Sequence, residues 1–302
     1  MEQMALKAVG LNKSFGTKEV LKNLDLTIEP GRIYGLIGRN GAGKTTLMGI
    51  LTAQNTFDEG EVTYGGQPVW ENRAALAELC FSREIPTTLL MGQNTSKVRD
   101  YLSAAAVYYP HWDKEYAQRL VDRFGLDRKK SVSKLSKGML SMLTIVIALA
   151  SRAPVTILDE PVAGLDVVAR EDFYKLLLDD YAETNRTFII STHIIEEAAN
   201  VFERVLVLHD GKMLVDAPTD EFVQSFTLIT GHEDEVAAVC SELGVSHAVH
   251  TERMGRQVQT AVRAPRSAVR AAAEGHDVDL EGINLQKAFV YLTQANGEGA
   301  AC

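Results

Sequence analysis

Apolar and polar side chains alternate through Leu24-Asp25-Leu26-Thr27-Ile28, the period of a strand with one face in a core. Glu29-Pro30-Gly31-Arg32 follows, with Pro and Gly in the order a type II turn uses. A second apolar run, Ile33-Tyr34-Gly35-Leu36-Ile37, leads directly into glycine-rich Gly38–Thr45, and Thr46-Leu47-Met48-Gly49-Ile50-Leu51 then reads as a helix. The chain up to about residue 35 therefore predicts strands joined by turns. From about Lys97 to Ala150 the spacing turns helical, with no convincing strand. Asp113 predicts an N-cap for a helix through Tyr116, Leu120, Val121 and Phe124 that stops at Gly125. Another helix begins after Ser136 and carries Leu140, Leu143, Ile147 and Ala150. Continuous apolar runs return at Val155–Leu158, Thr187–Ile190 and Val205–Leu208, the later two each preceded by a helical pattern. Strands apolar on both faces belong to a parallel sheet covered by helices, so the fold class is α/β.

The pattern changes after Pro218. From Phe226 onward short strand-like runs, Thr227–Thr230 and Val258–Val262, alternate with Ala-rich helical ones such as Ala268–Ala273, ending in a helix at Leu285–Leu292 and a frayed Gly/Ala tail. This predicts a larger α/β domain over 1–222, with a helical subdomain at about 85–152, and a small α+β accessory module over 223–302.

Composition narrows the partners. The 302 residues are 46% hydrophobic and 24% charged, as in ordinary soluble proteins. A net charge of -9 repels phosphate backbones, so no direct nucleic-acid partner is expected. Cys80, Cys240 and Cys302 are odd in number and far apart, which gives neither a disulfide framework nor a metal motif and suits a reducing compartment. The start lacks the pattern of a secretory signal. The longest apolar stretch, Ile145–Ala150, is far below the roughly 18–20 residues that span a bilayer. A cytoplasmic chain is expected, touching a membrane only through a partner.

Gly38-Arg39-Asn40-Gly41-Ala42-Gly43-Lys44-Thr45 is a phosphate-binding loop, set between a strand and a helix as that motif requires. Its glycines let backbone N–H groups converge on phosphates, and the following helix presents its positive end to them. Lys44 supplies a point charge and the Thr45 hydroxyl is placed for Mg²⁺, so ATP with Mg²⁺ is the expected ligand. Asp159-Glu160 closes the apolar run Val155–Leu158, at the carboxyl edge where such sheets bind ligands. Asp159 is placed to hold Mg²⁺ and Glu160 to act on the attacking water as general base.

Leu135-Ser136-Lys137-Gly138-Met139 precedes this pair, Gly164-Leu165-Asp166 follows it, and His193 closes Ser191-Thr192-His193. With the loop at Gly38, these resemble the ABC-type ATPases in order: Walker A, signature, Walker B, D-loop and switch histidine. The resemblance covers about Leu6 to Val215 and implies a RecA-like P-loop core with an antiparallel β subdomain and an inserted helical subdomain. It also implies a shared site. Two ATPase domains pair head to tail, as homodimer or heterodimer, each ATP lying between one chain's loop (Gly38 to Thr46) and the other's Ser136 and Gly138. Asp166 would join that nucleotide-contacting set, His193 would sense the γ-phosphate in cis, and Phe15 matches the aromatic that stacks on adenine.

Two departures stand out. The usual signature is LSGGQ, and here Lys137 and Met139 replace a Gly and the Gln. Ser82-Arg83-Glu84 stands after Leu79–Phe81, where the family carries a glutamine, so Arg83 or Glu84 occupies that place; Gln93 lies further along the same loop. Tyr109-Pro110-His111-Trp112-Asp113 is similar to a stretch of bacterial ABC-2-type exporter ATPases, and reads either as a helix start with Trp112 packed inward or as a grip on a membrane subunit. The resemblance implies a transport-coupled ATPase on the inner face of the cell membrane, driving a separately encoded transmembrane permease subunit, with export favoured. The alternatives are a soluble non-transport ABC ATPase, and a degenerate ATP-binding half of a heterodimer.

Overall fold

The computed structural model describes residues 4–85, 96–244 and 248–298. Gln93 and Cys302 lie outside these residues. The chain divides into two compact units, Met1–Val215 and Asp216–Cys302.

The first unit opens with an antiparallel layer. Strands β1 (Leu6–Phe15) and β2 (Lys18–Ile28) form a hairpin, with Leu6 opposite Ile28 and Ala8 opposite Leu26. Along β2 the alternation read from sequence becomes burial: Leu24, Leu26 and Ile28 are in the core while Asp25 is exposed. Gly31 in the following turn has φ +67, the left-handed conformation that a type II turn requires. β3 (Ile33–Ile37) is buried at every position and ends at the glycine loop, from which helix α1 (Lys44–Leu51) starts two residues earlier than the apolar spacing suggests. β4 (Glu59–Tyr64) and β5 (Gln67–Pro68) complete the antiparallel layer in the order β2-β1-β4-β5.

A short helix α2 (Arg73–Ala77) leads to β6 (Leu79–Ser82). The helical region then supplies α3 (Val98–Tyr108), α4 (Lys114–Arg123) and α5 (Lys137–Ala150). Asp113 caps α4 by accepting the Tyr116 N–H at 2.8 Å, and Ser136 caps α5 by accepting that of Met139 at 3.2 Å. Trp112 lines a groove between α3 and α4 with Leu102 and Val121. The chain re-enters the sheet at β7 (Val155–Asp159) and continues through α6 (Val167–Thr184), β8 (Thr187–Ser191), α7 (Ile195–Ala198), β9 (Arg204–His209) and β10 (Lys212–Pro218). The sheet order is β10-β9-β3-β8-β7-β6, with β9, β3, β8, β7 and β6 mutually parallel. That order places the ends of β3 and β7 on either side of β8, so the glycine loop and Asp159-Glu160 share one edge of the sheet. His193 lies two residues past the end of β8 rather than in the strand.

A buried charge network that the apolar pattern does not reveal ties this unit together. Asp180 on α6 is 1% exposed and accepts two bonds from Arg186, at 2.7 and 3.0 Å. Arg186 also donates to the carbonyl of Leu149 and the hydroxyl of Thr156, both at 3.0 Å. Arg152 reaches Asp180 at 3.1 Å and the capping carboxylate of Asp113 at 3.3 Å.

The second unit begins with α8 (Thr219–Gln224). Then come β11 (Thr227–His232), α9 (Glu233–Leu243), β12 (Ala248–Met254), β13 (Gln257–Val262), α10 (Arg266–Ala272), β14 (Val278–Glu281) and α11 (Leu285–Glu298). The β-α-β-β-α-β order, with antiparallel strands arranged β12-β13-β11-β14, is ferredoxin-like. Ile229, Val258 and Val262 face Val236 and Val239 of α9 and Val269 of α10 in one apolar cluster. The Tyr291 ring of α11 stacks on His250 of β12, centroids 4.5 Å apart.

Candidate nucleotide site

A cavity of about 460 Å³ opens at the carboxyl edge of the parallel sheet, lined by the glycine loop, α1, Phe15, Glu84, Asp159 and Glu160. The loop keeps its shape through backbone conformations that side chains disfavour. Gly43 has φ +107, and a Cβ there would meet the Val20 carbonyl oxygen at 2.9 Å. Asn40, Gly41, Gly43, Lys44, Thr45 and Thr46 all line the cavity. Gly38, Arg39 and Ala42 are not among its lining residues. Ala42 is buried, while Gly38 and Arg39 offer carbonyls to the Lys44 ammonium at 2.7 and 3.4 Å.

Lys44 is 8% exposed. Burial pushes its ammonium below the ordinary lysine range, and the nearby Glu160 and Asp159 carboxylates act against that shift. A cation partly stripped of water beside a loop of backbone donors suits an anionic phosphate.

The Thr45 hydroxyl donates to Asp159 Oδ2 at 2.8 Å, joining the first turn of α1 to the end of β7. A hydroxyl and a carboxylate are hard oxygen donors of the kind Mg²⁺ takes beside phosphate oxygens. No cluster of three or more His, Cys, Asp or Glu side chains able to hold a metal occurs among the described residues.

Glu160 has φ +50, and its N–H donates to the Ser191 carbonyl at 2.9 Å. Its carboxylate lies 2.7 Å from His193 Nδ1, and the His193 backbone N–H points at the same oxygen from 3.4 Å. The two sequence candidates, just past the ends of β7 and β8, thus meet. The Phe15 ring, 55% exposed, stands at the cavity wall and not in a core, with the Lys13 ammonium 5.1 Å from its centre.

Ser136, Gly138 and Asp166 are not among the residues lining this cavity. Ser136 and Asp166 cap helices, the latter accepting the Ala169 N–H at 2.9 Å, and Gly138 packs on the Gly164 carbonyl, where a Cβ would come within 2.8 Å. Of the pair left open by sequence, Glu84 lines the cavity, whereas the Arg83 guanidinium sits 6.0 Å over the Phe81 ring. Lys18 and Val20 of β2 also line the cavity. Nothing in their spacing marks them, because the hairpin reaches the loop only through the tertiary fold.

Residues 21–163 match the ABC transporter family. The chain is 31% identical over 308 residues to the Nod factor export ATP-binding protein I of Rhizobium meliloti (strain 1021), across 96% of this chain and 88% of that protein. It is 29% identical to the ABC transporter ATP-binding protein YtrB of Bacillus subtilis (strain 168), across 72% of this chain and 74% of that one. Among solved structures, cbiO1 from Clostridium perfringens, described as part of an ABC transporter complex, superposes with a TM-score of 0.59 at 25% identity, covering 73% of this chain and 90% of that one.

Proposed function

The chain belongs to the ABC transporter ATP-binding family, and from that premise we propose how its residues power a transporter. It is an ATPase subunit, and the cavity at Lys44 is its nucleotide site. Phe15 stacks on the base, and the backbone from Gly38 to Thr46 with the Lys44 ammonium holds the phosphates. Thr45 and Asp159 would hold Mg²⁺, which would supply positive charge against that of the phosphates. Glu160 takes the proton of the attacking water, oriented by the His193 ring 2.7 Å away.

The site is completed by a second ATPase domain, a copy of this chain or a relative, whose Ser136 and Gly138 face the γ-phosphate while Asp166 lies in the same interface. In the single chain these residues stand outside the cavity, and a partner arranged head to tail brings them to it. Closure on ATP and reopening after hydrolysis would move a separate transmembrane permease. No helix among the described residues is long and apolar enough to cross a membrane, and the permease would hold the subunit at the inner face. Export is favoured by the reach of the likeness. The Nod factor export protein matches 96% of the chain, including the second unit, whereas an aliphatic sulfonates import protein matches 68%.

The observation that carries the catalytic reading is the Glu160–His193 pair beside Thr45–Asp159. Glu160→Gln is expected to trap an ATP-bound dimer and to slow hydrolysis roughly 100-fold or more. A mutant that remains monomeric with ATP and hydrolyses at the wild-type rate removes Glu160 from the role of base.

A further inference from the structure

Glu84 and Lys137 both stand where the sequence departs from its family, and the fold brings the two departures together. Glu84 follows β6 and lines the nucleotide cavity. Lys137 is the first residue of α5, inside the signature, and its ammonium lies 3.3 Å from Glu84 Oε1. Its aliphatic stem crosses Gly164 in the loop that descends from Glu160. A Cβ on Gly164 would meet Lys137 Cγ at 2.7 Å, and the backbone there has φ +79. α5 is fastened to the same surroundings by Ser141, which donates to the Ala163 carbonyl at 2.6 Å, and by its Thr144 carbonyl, which accepts from Ser82 at 3.1 Å. The stem of Lys137 is therefore confined, and its charged head is turned toward its own chain's cavity rim.

Both partners are more than half exposed, at 58% and 51%. An exposed pair of this kind is weak, because water screens it and two flexible side chains must be held in one place. It is enough to orient an ammonium and too little to keep it from a phosphate carrying more than one charge.

We propose that Lys137 is a phosphate-binding residue for the nucleotide of a second copy, held back by Glu84 of its own chain until that phosphate arrives. The proposal rests on the head-to-tail pairing above. On closure the ammonium leaves Glu84 for the partner-bound γ-phosphate, adding a full positive charge to the contacts of Ser136 and Gly138. When the γ-phosphate is lost, Lys137 returns to Glu84 and separation is favoured. Glu84 acts on the reaction only through Lys137, as a positioning residue.

The test is a double-mutant cycle on the full chain in the Glu160→Gln background, reading the dimer dissociation constant by analytical ultracentrifugation with MgATP and with MgADP. Lys137→Met should weaken the ATP dimer about tenfold, the size of one ordinary contact to a charged group. Glu84→Gln should tighten it about threefold by removing the competitor, and this gain should vanish in the Lys137→Met background. Lys137→Arg should retain the ATP dimer, and with MgADP none of the substitutions should act. Should Lys137→Met leave the ATP dimer unchanged, or Glu84→Gln act equally in both backgrounds, the pair is an ordinary surface ion pair and the proposal is overturned alone. If the Glu160→Gln chain itself never dimerises with ATP, the pairing falls and takes this proposal with it.

Discussion

His193 and His276 each lie within hydrogen-bond reach of a glutamate, Glu160 at 2.7 Å and Glu235 at 2.6 Å, yet the two pairs do different work. The first stands at the cavity proposed to hold the nucleotide, which Glu160 lines. The second is structural, joining α9 to the turn before β14, with Glu242 3.7 Å from the other ring nitrogen. The hydrogen bond to Glu235, strengthened by the charges of Glu235 and Glu242, holds the His276 imidazolium above its ordinary value of 6.5. A raised folded value means that the pair stabilises fully below 6.5 and that its contribution is lost as pH climbs through the raised value. The urea midpoint of the chain should therefore carry a component that falls across that window. His276→Gln should abolish the component, and an unchanged pH profile in that variant would assign the dependence to other groups.

Among the elements, α6 carries a burden that its sequence hides. Asp180 is one of its buried residues, 1% exposed, and holds Arg186 before β8 and Arg152 after α5. Breaking a buried pair by deleting one partner leaves the other charged in a dry surrounding and costs about 3–5 kcal/mol. Asp180→Ala should lower stability to urea by that order, whereas Glu183→Ala, whose partner contact to Arg152 is exposed, should cost less than about 1 kcal/mol. Equal losses would show that Asp180 contributes no more than a surface charge. The same element marks the limit of what could be read from the chain. Continuous apolar runs announced β3, β7, β8 and β9 because such strands are buried on both faces. Asp180 looks like one more polar residue in a mixed helix, and only its partners, some from other elements, reveal it. β12 and β14 escaped for a related reason. Ala-Val-His-Thr-Glu-Arg-Met and Val-Asp-Leu-Glu are edge strands rich in charge, which guards an open edge against other strands while diluting the pattern.

For the molecule as a whole, every residue lining the cavity lies between Phe15 and Glu160, within the first unit. Apart from Lys18 and Val20, which only the tertiary fold brings there, those residues were legible because spaced motifs are short-range statements about backbone and charge. Glu84 was narrowed only to a pair, since choosing between neighbours needs the direction of the chain as it leaves β6. The second unit has its own apolar cluster and a complete ferredoxin-like topology. A chain ending at Val215 should then bind MgATP within about threefold of the full protein, a shift under 1 kcal/mol. Titration with a fluorescent nucleotide measures this, and a loss beyond about tenfold would make the second unit part of the nucleotide site.

Glu160 carries one more consequence. At φ +50 it occupies backbone territory where glycine and asparagine rest more comfortably. Domains have only about 5–15 kcal/mol in hand against unfolding, so relief of local strain is a change that evolution can feel. Lineages bred for heat resistance without any demand for turnover should drift at this position toward Gly or Asn, and their survivors would be sturdier proteins that no longer hydrolyse ATP.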